Sequence, residues 1–271
     1  MHDATMFVGV SSGTSFAQVT TRMNFRLPIF AALLLIPLLV GCQTSSMTRG
    51  ELSAVQPLSD QPREGNVYLM RGWIGVFSTG IDSLTGQLNE AGVRATIYQN
   101  SQYRELGATI RDTYAGLDHH EPIILIGHSY GADDMIRIAK IAGEKDVQID
   151  LIVTLDPVTP PSIPPNVKRA VNLYQPNGVW DILPVLRGVP VKPRDEAMAA
   201  NVENWNLRGN RKDILEAAEG KVDHFNIEKK AVVHDAIKAL VMEHCPPRFA
   251  SPHFAATEIG SDDNPKAGGG E

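Results

Sequence analysis

Residues 122–131 read PIILIGHSYG. The run from Pro122 to Ile126 has no polar side chain, the pattern of a strand buried on both faces of a parallel sheet. It ends at Gly127. Beyond Gly131 the apolar residues Met135, Ile136, Ile138 and Ile141 follow a helical period, predicting a helix over about 130–143. The stretch is therefore a strand, a sharp glycine-flanked turn and a helix.

Working outward, the same alternation repeats. Val67–Met70 reads as a strand, followed by the glycine-punctuated loop GWIGVFSTG. Ser78 or Thr79 can cap the next helix, which has Ile81, Leu84 and Leu88 on one face and stops at Gly92. Arg94–Tyr98 is a second strand, and a helix over about 102–117 sets Leu106, Ile110 and Leu117 at helical spacing. Leu151–Leu155 and Ala170–Tyr174 are further strands, and a final helix covers about 228–244. Between them, Asn201–Leu207 is read as an edge strand and Asp213–Ala218 as a short helix. Strands alternating with helices require parallel crossovers. The expected fold is a three-layer α/β/α sandwich around a mostly parallel sheet of about five to six strands.

Ligands of such folds sit at the carboxyl ends of the strands, so chemistry is sought in the loops that follow them. Gly127-His128-Ser129-Tyr130-Gly131 occupies the strand–turn–helix setting of a nucleophile elbow. A turn that sharp strains the backbone at Ser129 and needs neighbours without side chains two residues away. It raises the Ser129 hydroxyl above the sheet and aims the Tyr130 backbone N–H at any oxyanion formed there. A serine needs a base, itself oriented by an acid. Asp156, in Thr154-Leu155-Asp156-Pro157, ends the next strand and shares Ser129's rim, with Asp181 in Val179-Trp180-Asp181-Ile182 as its rival. Asp133 and Asp134 are better placed to favour the start of the elbow helix through its dipole. Among eight histidines, His224 lies in a loop just before the last helix and gives the chain order serine, acid, histidine. His128 points away from the nucleophile and is read as packing. His234 falls inside a helix, His244 at a helix end, and His119 and His120 in a polar loop. His2 and His253 lie in the chain's outer segments.

With GHSYG, LDP and this order in place, residues 66–245 resemble the α/β-hydrolase family, above all its lipase and esterase branch. The chain departs from larger members of that family: the stretch between Asp156 and His224 lacks room for a long cap domain, so a minimal member with an open site is expected. The resemblance implies acyl transfer by Ser129, Asp156 and His224, with a second oxyanion donor from the loop Gly72-Trp73-Ile74-Gly75, through the backbone N–H of Trp73 or Ile74. Trp73, Ile74, Val76 and Phe77, with Trp180, Ile182, Leu183, Val185 and Leu186, suggest an apolar groove for a small acyl ester or lipid-like substrate. Pro160-Pro161 and Pro164-Pro165 would stiffen the loop after Asp156. No cofactor is needed, and the sequence holds no metal-ligand motif or phosphate-cradling GxxxxGK[ST]. The contrasting expectation is a non-catalytic binding or accessory lipoprotein on a hydrolase scaffold.

The 271 residues carry a net charge of −6, with 43% hydrophobic and 21% charged residues, an ordinary globular balance. The mild acidity argues against nucleic acid as a partner, and two cysteines exclude a disulfide framework. No internal repeat is evident. Residues 29–40 read IFAALLLIPLLV, too short to span a bilayer of roughly 30 Å as an ordinary helix. With Arg22 and Arg26 before it, the run suits the apolar region of a secretory signal peptide. Its end, Leu39-Val40-Gly41-Cys42, resembles the processing box of bacterial lipoproteins. That resemblance implies cleavage before Cys42, lipidation of Cys42 and a membrane anchor, and Gln43 implies the outer membrane, facing the periplasm. The leader is then 1–41, with Met23 the expected start. Residues 42–65 are expected to be a flexible tether, 66–245 the domain and 246–271 a disordered tail.

Overall fold

The computed structural model describes residues 48–72, 79–176 and 188–248. The leader, Met23, Cys42, Trp73, Ile74, Asp181 and the tail beyond 248 lie outside them.

Six strands form one sheet: β1 (Asn66–Met70), β2 (Arg94–Tyr98), β3 (Ile123–His128), β4 (Leu151–Leu155), β5 (Ala170–Tyr174) and β6 (Val202–Asn206). Their spatial order is β2-β1-β3-β4-β5-β6, and every pair is parallel. Among the described residues five α-helices accompany them: α1 (Thr79–Glu90), α2 (Tyr103–Tyr114), α3 (Tyr130–Ala142), the short α4 (Lys212–Glu216) and α5 (Ala231–His244).

The order explains where the helices lie. Right-handed crossovers place a helix on one face when the chain steps one way along the sheet, and on the other face when it steps back. From β1 the chain steps to β2 through α1, then reverses past β1 to β3 through α2 and onward to β4 through α3. One apolar cluster accordingly joins Val67, Leu69, Ile124 and Ile126 to Ile81, Leu84 and Leu88 of α1 and to Val233, Ile237 and Val241 of α5. The other joins Tyr68, Met70, Ile123 and Leu125 to Leu106 and Ile110 of α2 and to Met135, Ile136 and Ile138 of α3. Successive residues of β1 and β3 feed opposite clusters, so these strands are apolar throughout and buried on both faces. Each such Leu or Ile side chain contributes about 1.5–3 kcal/mol by leaving water. The reversal leaves a crevice at the carboxyl ends of β1 and β3, where parallel sheets place their ligands.

Three expectations are corrected. Helix α2 ends at Tyr114, because Gly116 turns left-handed at φ 70°. Leu117, expected on its apolar face, is exposed, and Tyr114 fills the place instead, its hydroxyl 2.9 Å from that of Tyr68 and donating to Gln56 O at 2.7 Å. Residues 48–65, expected within the flexible tether, are laid along the edge strand β2. Tyr98 Oη donates to Glu51 O (3.0 Å) and Arg94 Nη1 to Leu58 O (2.9 Å), and Val55 is buried. The strap covers an edge that would otherwise offer unpaired backbone groups. The expected tail also begins later than Pro246, since Pro247 bridges to Arg63. Pro164-Pro165 belong to the loop that follows Asp156. They precede Asn166 and Val167, which attach to Ala139 O and to Ile149 at the amino end of β4.

The strap and the segment that follows α5 meet at one buried carboxylate. Glu121 accepts from Ser59 N (2.9 Å), Gly65 N (2.8 Å) and Arg248 Nη2 (2.8 Å). Truncation would strand a cation and two backbone donors together. Glu121→Ala is expected to cost about 3–5 kcal/mol in urea unfolding; a loss below about 1 kcal/mol would mean that the three attachments are independent of it.

Candidate active site

In register, Met70, Gly127 and Thr154 lie side by side across β1, β3 and β4. Ser129 and Asp156 each stand two residues beyond that row, so they emerge at one height on adjacent strands. Both amides prolong the ladder, Ser129 N donating to Leu155 O and Asp156 N to Leu173 O, each at 2.9 Å.

Ser129 has φ 57° and ψ −128°, and Asp156 has φ 48°. Positive φ in residues with a Cβ costs of order 1–3 kcal/mol each and persists only where the surroundings enforce it. Two glycines allow the enforcement at Ser129. A Cβ on Gly127 would strike the Gly131 carbonyl, and one on Gly131 would strike the Arg71 carbonyl just past β1. Helix α3 therefore starts in backbone contact with both neighbouring strand ends, which forces the turn to be sharp.

His224 completes the constellation from the loop before α5. Its Nε2 lies 2.9 Å from Ser129 Oγ, and its Nδ1 lies 3.2 Å from Asp156 Oδ2. All three residues are buried. A carboxylate only accepts, so Nδ1 carries the proton and Nε2 is left to accept from the serine hydroxyl. Burial pushes the Asp156 carboxyl above its usual range, and the His224 ring and the Gln175 N–H, which donates to Oδ1 at 2.8 Å, pull it back. The predicted serine, acid and base are thus brought together. Tyr130 opens α3, while the other expected oxyanion donors, Trp73 and Ile74, lie outside the described residues, as does the rival Asp181.

Several residues that frame the acid escaped the sequence reading. Asp133, in the first turn of α3, does more than favour the helix dipole. It accepts from Val158 N (3.1 Å) and from Thr159 N (2.8 Å) and Oγ1 (3.1 Å), pinning the chain just after Asp156. Burial raises its pKa to about 6. Beneath the acid, Thr154 Oγ1 donates to Asn172 Oδ1 (2.9 Å), and Asn172 Nδ2 donates to Asn204 Oδ1 (2.8 Å) and Val189 O (3.0 Å). Asn204 then exchanges bonds with the backbone of Val191, 2.9 Å each way. This ladder holds residues 189–191 against the sheet and sets Gly188 on the acid: a Cβ there would collide with Asp156 Oδ1. Asparagines inside strands, where their type is depleted, were the available signal.

Behind the base, Glu228 is fully buried with neither oxygen hydrogen-bonded in good geometry. It packs on Gly80 of α1, and Lys229 Nζ is 3.8 Å away. Its pKa is raised to about 7, chiefly by burial.

No protein-family model matches this sequence, and no curated protein does. Among solved structures it is similar to Est1E from Butyrivibrio proteoclasticus, with 13% identity, a TM-score of 0.40, and coverage of 70% of this chain and 91% of that one. It is also similar to a Xanthomonas campestris pv. campestris protein described as a hydrolase of the alpha/beta superfamily, with 11% identity, a TM-score of 0.33, and coverage of 65% and 99%. The three-layer architecture rests on the strand order and helix faces described above.

Two outcomes follow for the frame. Gly188→Ala is expected to lower stability by about 1–3 kcal/mol in denaturant unfolding and to displace the acid; unchanged stability would mean that the segment yields freely. Glu228 binds its proton more tightly folded than unfolded, so stability falls as pH rises from about 4.5 to about 7. Glu228→Gln should therefore melt like wild type at about pH 4 and above it at about pH 8. Thermal melts at both values check the sign, and a variant less stable at the higher pH would refute it.

Proposed function

We propose that the protein is a serine hydrolase of the α/β-hydrolase type, cleaving carboxylic ester or related acyl bonds through an acyl-enzyme. The observation that carries this reading is the continuous chain Asp156–His224–Ser129, with bonds of 3.2 and 2.9 Å, ending on a serine in a strained turn at a helix start.

The chemistry follows from proton positions. His224 Nε2 takes the Ser129 proton as Oγ attacks the carbonyl carbon. Asp156 stabilises the imidazolium that forms and fixes the ring's orientation. Negative charge moves to the former carbonyl oxygen, where the Tyr130 N–H, the start of α3 and an amide of the 72–75 loop are proposed to receive it. Collapse expels the alcohol, which takes its proton from Nε2. Water then repeats the sequence on the acyl-enzyme, and the acid and free Ser129 are released.

For substrate class, an apolar carboxylic ester fits best. Phe225 follows the base, stands edge-on to its ring at 5.6 Å and is 45% exposed, unusual for a large apolar residue. It supports an apolar wall beside the reacting carbonyl. A separate open groove of about 480 Å³ is lined by Val158–Ser162, just after the acid, and by Val189, Pro190 and Lys192; it is of mixed polarity, and the triad does not line it. We also propose attachment to the outer membrane through a lipid on Cys42, facing the periplasm; its support is the sequence of residues 22–43 alone. Loss of membrane association in Cys42→Ser would bear it out, and retention would not.

A fluorophosphonate probe should label the wild type and not Ser129→Ala; equal labelling of both sinks the serine reading. With p-nitrophenyl esters of increasing chain length, His224→Ala should lose on the order of 10³-fold or more in kcat, and full activity there would mean a different base. Phe225→Ala should lower kcat/KM for the longer esters by about tenfold, with a smaller loss for the acetate. A uniform loss across the series would remove Phe225 from the substrate wall.

A further inference from the structure

We propose that His128, beside the nucleophile, is a positioning residue that fixes the catalytic base by donating a hydrogen bond from Nε2 to the backbone carbonyl of His224. The proposal rests on the serine-hydrolase reading and adds to it a second histidine that never touches substrate.

The bond is 3.0 Å long and joins residues 96 apart in sequence. His128 is buried at the carboxyl end of β3. A carbonyl oxygen can only accept, so Nε2 must carry the proton whatever the charge of the ring. The ring is kept neutral. Burial and the neighbouring His224, whose ring centre is 5.2 Å away, push its pKa down to about 3. The tautomer is therefore fixed across the pH range in which a histidine base works.

The base's loop explains why this matters. Much of its hydrogen bonding is local: Asp223 N to Asn226 Oδ1 (2.9 Å), Phe225 N to Asp223 Oδ1 (3.0 Å) and Asn226 N to Asp223 O (3.2 Å). These bonds give the loop its shape without placing it over the sheet. Arg208 Nη2 holds Val222 O from one side at 3.2 Å. His128 holds His224 itself, and it does so from the residue that precedes Ser129. Nucleophile and base thus hang from consecutive residues, Ser129 in the turn and His128 at the end of β3 just before it, and the 2.9 Å gap between Nε2 and Oγ is set across one short span. Neutrality matters as well. His224 becomes an imidazolium during the reaction, and a charged neighbour in the ring's place would oppose it.

Two variants separate the donated bond from simple packing. His128→Phe keeps a ring and loses the donor. His128→Gln loses the ring and keeps an N–H donor at similar reach. The rate of Ser129 phosphonylation by a fluorophosphonate is followed to its end point, so that each rate refers to folded, labellable protein. His128→Phe should react about tenfold to a hundredfold more slowly, and His128→Gln within about threefold of wild type. In ester turnover the Phe loss should fall on kcat with KM unchanged.

If His128→Phe labels as fast as wild type while Ser129→Ala does not label, the positioning role is overturned and the serine-hydrolase reading stands. If Phe and Gln variants slow equally, packing of the ring is what counts, and the role is again overturned. If wild type and Ser129→Ala label alike, the hydrolase reading fails and the proposal falls with it. Should His128→Phe not fold, nitrogen NMR of the wild-type ring decides: the neutral Nε2–H form between about pH 5 and pH 9 is expected, and an Nδ1–H ring overturns the assignment.

Discussion

Everything at the candidate site depends on a backbone-to-backbone contact. Helix α3 begins so close to the ends of β1 and β3 that no side-chain carbon fits at Gly127 or Gly131. That contact forces Ser129 to a φ of 57° and turns its hydroxyl out of the sheet. The 1–3 kcal/mol of strain is offset by the apolar packing of β3 and α3 on either side, which has no comparable freedom to relax. The remaining parts are aimed at that fixed hydroxyl.

Aiming the acid requires polar groups inside the sheet. Thr154, Asn172 and Asn204, in register across β4, β5 and β6, form a line of side-chain bonds. They do not touch the serine. They hold residues 189–191, and these bring Gly188 against Asp156. Asp133 acts from the other side through Val158 and Thr159. A buried polar group is costly unless satisfied, and here the satisfied bonds give the acid one location.

Much of this was legible in the sequence because it is local. Unbroken apolar runs at 123–126 and 151–153 gave buried parallel strands, and the glycines around Ser129 gave the turn. His224 followed from its place before the last helix. What the sequence hid is non-local. Nothing in residues 48–65 shows that Leu52, Val55 and a few backbone carbonyls suffice to bind a polar segment to β2. Nothing near Gly188 says that it faces an aspartate 32 positions earlier in the chain. His128 was read as packing because a histidine's partner cannot be seen from its neighbours when it is a main-chain oxygen 96 residues away. Leu117 shows the opposite failure: its spacing fitted a helix that Gly116 ends first.

The strap over β2 also changes the length of any leash. Were residues 43–65 free, a lipid on Cys42 would hold the domain at up to about 80 Å. The chain is instead fastened from Arg49 and Gly50 onward, with Arg49 paired to Glu105 and Gly50 bonded to Gln102. Seven residue steps separate Cys42 from Arg49, a reach of about 25 Å at most. The fastening lies beside the carboxyl end of β2, on the same side of the sheet as Ser129. A lipid on Cys42, as proposed, would hold the domain by the rim that carries Ser129 and keep it within about 25 Å of the membrane surface.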